Sequence, residues 1–75
     1  MAKADRILER LRREPPEMSL SDIETLLSSL GWTIRQGKSS HIVLTTPENR
    51  LITISTVKGR AIKRKYLRMI LKEIE

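Results

Sequence analysis

Residues 32–56 read WTIRQGKSSHIVLTTPENRLITIST, and the fold depends on how this stretch divides. Trp32–Gln36 alternates, with Trp32 and Ile34 on one side, as a short strand does. Gly37–Ser39 supplies a turn. His41–Thr46 is a second strand in which Ile42 and Leu44 share one face and His41, Val43 and Thr45 the other. Pro47–Arg50 is a hairpin connection, and Leu51–Thr56 is a third strand rich in β-branched residues. Each strand has one apolar face, so the sheet is expected to be antiparallel and covered by helices on one side only.

Helical spacing flanks these strands. Upstream, Leu20, Ile23, Leu26, Leu27 and Leu30 form one stripe, and Gly31 stands where a left-handed cap ends such a helix. Ser21 and Glu24 have the spacing of a capping box, with Ser19 and Asp22 as the weaker competitor, so the helix is expected to start at one of these serines. Earlier still, Ala4, Ile7, Leu8 and Leu11 give a short amphipathic helix over Lys3–Arg13 that Pro15 and Pro16 terminate. Its charges mix both signs, and it reads as an extension packed on the domain. Downstream, Val57–Ala61 reads as a basic loop containing Lys58, Gly59 and Arg60. A last helix follows, burying Leu67, Ile70, Leu71 and Ile74.

The expected architecture is therefore α+β in the order α-α-β-β-β-α. It is a single domain over residues 1–75, with an N-terminal helical extension (1–16) and a core (18–75). With 75 residues and 39% apolar composition, the chain can build a two-layer core but not a deep enclosed pocket. There are no cysteines, so disulfides and thiolate metal sites are excluded. Carboxylates and histidines do not cluster at ligand spacing, and neither a metal nor a cofactor is expected. No apolar run approaches the roughly 18–20 residues of a membrane span, and the N-terminus is too polar for a signal peptide. A cytoplasmic protein without a membrane partner is expected.

Net charge is +6, and its distribution says more than its sum. Residues 35–65 carry eight cations against one anion, while the segments on either side are close to balanced or slightly acidic. A basic stretch of this kind attracts a polyanion through contacts that weaken with salt. Within it lies the only histidine, His41, preceded by two cations, Arg35 and Lys38, and by Ser39 and Ser40. Hydroxyl donors, fixed positive charge and an imidazole able to give or take a proton suit a phosphodiester. Ser39 and Ser40 are read as turn and hydrogen-bonding residues, since one histidine cannot build a nucleophilic triad. Cations at the first turn of the last helix, Lys63, Arg64 and Lys65, have the wrong sign for the helix dipole. A phosphate bound there would reconcile them with the free backbone N–H groups.

Three features together are more specific than the order of elements. Gly31-Trp32 closes the first core helix. Lys38-Ser39-Ser40-His41-Ile42-Val43-Leu44 enters the second strand. A basic loop leads to Tyr66-Leu67-Arg68-Met69-Ile70-Leu71-Lys72. Over about residues 18–73 the chain thereby resembles the HicA family of small toxins, mRNA interferases with a double-stranded RNA-binding-domain-like fold. The family's Gly-Ser-His signature aligns on Ser39-Ser40-His41, with Ser39 where the family has glycine, so the turn is expected to differ.

The resemblance implies an endoribonuclease that cleaves mRNA, with His41 catalytic and a HicB-type antitoxin as partner. RNA carries its own nucleophile, the 2′-hydroxyl, so a general acid–base and positive charge suffice. Lys38, Ser39, Ser40, Lys58, Arg60 and Lys63 are the candidate RNA- and phosphate-binding residues. Two competing readings use the same residues. A non-catalytic RNA-binding module would make His41 dispensable. An inactive toxin homologue would act only as an interaction protein.

Overall fold

The computed structural model describes residues 2–37 and 40–75. Three helices and five strands follow in the order α1 (Lys3–Arg12), β1 (Glu17–Ser19), α2 (Leu20–Ser29), β2 (Thr33–Gln36), β3 (His41–Thr45), β4 (Leu51–Ser55), β5 (Ala61–Lys63) and α3 (Arg64–Ile74). The main sheet is antiparallel with strand order β2-β3-β4, and the α-α-β-β-β-α expectation holds around it. No helix among the described residues is long and apolar enough to cross a membrane.

Alternation along the strands decides what lies on each side of this sheet. Ile42, Leu44 and Ile54 are buried, with Ile34 and Ile52 packed at their margin. Against them lie Ile23, Leu26 and Leu27 of α2, Leu67 and Ile70 of α3, and Ile7 and Leu11 of α1, all in one cluster. The N-terminal helix therefore contributes two nearly inaccessible side chains to the same core as the sheet. Ion pairs at its surface, Arg10 with Asp22 and Arg12 with Glu75, add little beside that burial.

Helix α2 is well bounded. Ser19 is its N-cap, accepting a hydrogen bond from the Asp22 amide at 3.1 Å. The start expected from Ser21 and Glu24 thus yields to the Ser19 competitor. The reason is tertiary: Leu20 is buried, and its amide donates to the Arg60 carbonyl at 2.7 Å, which fixes the chain's exit from β1 at Ser19. At the other end Gly31 adopts φ +85°. The Gly31 amide bonds the Ser28 carbonyl and the Trp32 amide the Leu27 carbonyl, the double bond of a Schellman cap. This cap turns Trp32 into the core just before β2.

A second sheet was not expected. β1 and β5 pair antiparallel, Glu17 opposite Lys63, Met18 opposite Ile62 and Ser19 opposite Ala61. Three-residue strands offer one alternation each, too little for periodicity to reveal. The basic loop over 57–61 is correspondingly tighter than expected: a four-residue turn closes with Arg60 donating to the Val57 carbonyl at 3.0 Å, and Ala61 already begins β5. Lys63 belongs to β5 and occupies the N-cap position of α3, so the helix proper starts at Arg64. Its first amide, on Arg64, donates to the Pro16 carbonyl at 2.9 Å.

Candidate active site

The pleat puts every second residue of β2, β3 and β4 on the face away from the helices. Cross-strand register arranges these residues in rows. Arg35, Val43 and Thr53 form one row, and Thr33, Thr45 and Leu51 another. At the end of the sheet His41 faces Ser55 on one side and, through the 2.8 Å bond from the Gly37 amide to its carbonyl, Gly37 on the other. His41 is exposed, Ser55 and Val43 are half-buried, and none of these nine positions is acidic.

Gly37 matters here because of close approach. A β-carbon at this position would stand 3.0 Å from the His41 carbonyl oxygen, tighter than ordinary packing. The missing side chain lets β2 close on β3 and leaves the flank of His41 open. On the opposite flank the Ser40 carbonyl accepts two hydrogen bonds from Thr56, from the amide at 2.7 Å and the hydroxyl at 2.8 Å. Thr56 is itself buried, so the entry into β3 is anchored at the residue before His41.

The same anchor brings in the basic turn, since Thr56 leads directly to Val57–Arg60. Lys58 and Gly59, its two central residues, have φ of +54° and +70°. Left-handed backbone is unremarkable for glycine but costs a lysine roughly 1–2 kcal/mol. Lys58 and Arg60 are exposed, and neither they nor Arg35 form an ion pair among the described residues. The turn thus presents two uncompensated cations at the end of the sheet that holds His41.

The remaining candidates divide. Ser40 stands half-buried immediately before His41. Lys63 lies in the two-stranded sheet with its Nζ 3.1 Å from Glu17 Oε1. Lys38 and Ser39 lie outside the described residues. The start of α3 is engaged with the preceding chain, because Arg64 Nε also donates to the Pro15 carbonyl at 3.3 Å and Arg68 pairs with Glu14. Sequence reading counts Arg35 with Lys38 among the cations ahead of His41 but not among the phosphate-binding candidates. Its signal was the register, which sets it one row from His41 on the same face. No group of three or more histidine, aspartate, glutamate or cysteine side chains that could hold a metal ion occurs among the described residues.

This geometry can be set beside known proteins. The family model described as the HicA toxin of bacterial toxin–antitoxin systems matches residues 20–75, from the first residue of α2 through the open sheet face, the basic turn and α3. No curated protein and no solved structure matches the chain significantly. Helix α1 and strand β1 precede the matched region. A toxin of such a system has an antitoxin as its partner. Because the match takes in most of the chain, including His41 and its whole sheet, the protein belongs to the HicA toxin family.

Proposed function

We propose that this toxin is an endoribonuclease that cleaves mRNA, with His41 as its general acid–base residue and no metal in the reaction. The observation that carries the reading is an exposed histidine at the end of an acid-free sheet face, paired with the β4 strand that leads into the turn of Lys58 and Arg60, two exposed cations without ion pairs among the described residues. An imidazole so placed removes the proton of the RNA 2′-hydroxyl. The 2′-oxygen bonds to phosphorus as the bond to the 5′-oxygen breaks, and that oxygen takes up a proton from solvent on the open face. The products are a 2′,3′-cyclic phosphate and a 5′-hydroxyl.

Lys58 and Arg60 stabilise the charge that gathers on the phosphorane, an effect that depends on donors held in place beforehand. Ser40 and the backbone around it set the direction of His41 through the Thr56 anchor. Lys38 and Ser39, on the approach to β3, are proposed phosphate ligands. Lys63 joins them only where RNA displaces Glu17 from it. A HicB-type antitoxin silences the toxin by covering the His41 face. The cytoplasm, where mRNA is found, is the corresponding site of action.

The test uses labelled single-stranded RNA and the matching DNA, both with EDTA. Wild type is expected to cut only the RNA, since DNA lacks the nucleophile. His41→Ala is expected to lower the rate by about 10²–10⁴-fold, the usual worth of a positioned acid–base group. Equal rates for the two proteins would remove His41 from the mechanism. RNA binding without cleavage by either would leave a binding module.

A further inference from the structure

The open face carries more than His41. From Gly37, beside the histidine, a groove of about 350 Å³ runs along the sheet, lined by Arg35, Gln36, Gly37, Val43, Thr45 and Leu51. Its far end is apolar: Leu51 is 72% exposed, unusual for a leucine within a strand, and lies directly opposite Thr45. Its middle is Val43, flanked across the strand by Arg35. Arg35 is exposed and without an ion-pair partner among the described residues, so its guanidinium plane is free to lie against a ligand.

We propose that this groove is a nucleobase subsite: it takes an unstacked base of single-stranded RNA next to the phosphate held at His41, with Arg35 against the base and Val43 and Leu51 beneath it. The proposal rests on the ribonuclease reading for what happens at His41, and adds what holds the substrate there.

Three properties of the groove select this occupant. The first is chemical. An arginine beside aliphatic side chains, with a threonine hydroxyl at the margin, matches an object that is flat, part apolar and rich in acceptors at its edge. The second is electrostatic. The nine positions of the face hold one arginine, one histidine and no carboxylate, so the phosphates flanking such a base meet no like charge that would repel them. The third is spatial. His41 and Val43 are two residues apart on one strand, about 6.7 Å, a step on the scale of the sugar that joins a phosphate to its base.

A base stacked inside a duplex cannot enter such a groove, so the subsite selects single strands even though the fold resembles a duplex-binding one. Arg35 would thereby become a specificity residue as well as a source of positive charge.

The experiment measures binding of 2′-fluoro oligonucleotides, which lack the nucleophile and stay intact whatever the enzyme does. One series carries a single abasic nucleotide at each successive position, at unchanged charge. For wild type, one position is expected to weaken binding about tenfold, within the range known for a base stacked on a protein face. In Arg35→Ala and in Leu51→Asp the same lesion should have little further effect, because side chain and base report one contact. Leu51 is exposed enough for its variant to fold, and thermal unfolding checks this.

Equal binding of intact and abasic strands by wild type would overturn the subsite. So would an Arg35→Ala loss of the same factor on both, which would make Arg35 a phosphate contact only. These outcomes separate from the fate of the ribonuclease reading. A protein that discriminates bases but cuts no RNA keeps the subsite and loses the nuclease; one that cuts without discriminating does the reverse.

Discussion

The two faces of the β2-β3-β4 sheet share one backbone and one set of hydrogen bonds, yet they differ in almost every side chain. Toward the helices the rows are Gln36, Ile42, Ile54 and Ile34, Leu44, Ile52. Away from them, the rows hold His41, Arg35, Val43, Leu51, threonines and Ser55. The pleat therefore separates what holds the protein together from what it presents to a ligand, residue by residue along each strand. The separation is only as good as the register, because a slip of one residue would exchange the two faces and bury the histidine. Anchors on either side of His41, the Gly37 amide and the Thr56 hydroxyl, bear on both faces at once.

The division is most directly broken by paired substitutions on neighbouring residues of β3. Leu44 is fully buried, and Leu44→Ala is expected to cost about 2–5 kcal/mol in urea unfolding, a large share of what so small a domain has. Val43, half-buried on the other face, should lose only about 0.8 kcal/mol on truncation to alanine, half the transfer energy of two carbons. Similar losses at the two positions would mean that the open face is packed against something in the free protein.

Much of this arrangement could be read from the sequence, and what escaped has a common cause. Period-two alternation in His41–Thr45 and Leu51–Ser55 was long enough to assign both faces, and Gly31 announced the end of α2 through its need for positive φ. The β1–β5 ladder was hidden because Glu17–Ser19 and Ala61–Lys63 are short and far apart in sequence, and the pairing is decided by burial of Met18 and Ile62. The choice of Ser19 over Ser21 was lost for the same reason, since it depends on the Arg60 carbonyl. At the site, one histidine and a basic stretch were legible. That Arg35 shares the face of His41, and that Lys63 faces Glu17, required the register.

Helix α2 backs the buried face, and its cap offers a sharper test of the separation. Ser19→Ala removes the acceptor for the Asp22 amide and should cost about 1 kcal/mol. Ser21→Ala, which touches no cap, should change stability by less than about 0.5 kcal/mol. Both should cut RNA at the wild-type rate where they are fully folded. A cleavage defect in folded Ser19→Ala would show that the helix layer reaches the open face.

The smallest expected change in stability has the opposite sign. Lys58 holds φ +54° in the turn between β4 and β5, a conformation that glycine adopts without penalty. Lys58→Gly relieves that strain but loosens the unfolded chain, so the net gain should be about 0.5 kcal/mol. If Lys58 contacts a phosphate, the same variant should bind RNA more weakly, and its salt dependence should flatten by about one phosphate contact. A protein that becomes more stable as it loses its ligand would mean that the strained lysine is kept for the open face at the expense of the fold. Weaker binding without the gain in stability would place the strain elsewhere, and unchanged binding would remove Lys58 from the phosphate path.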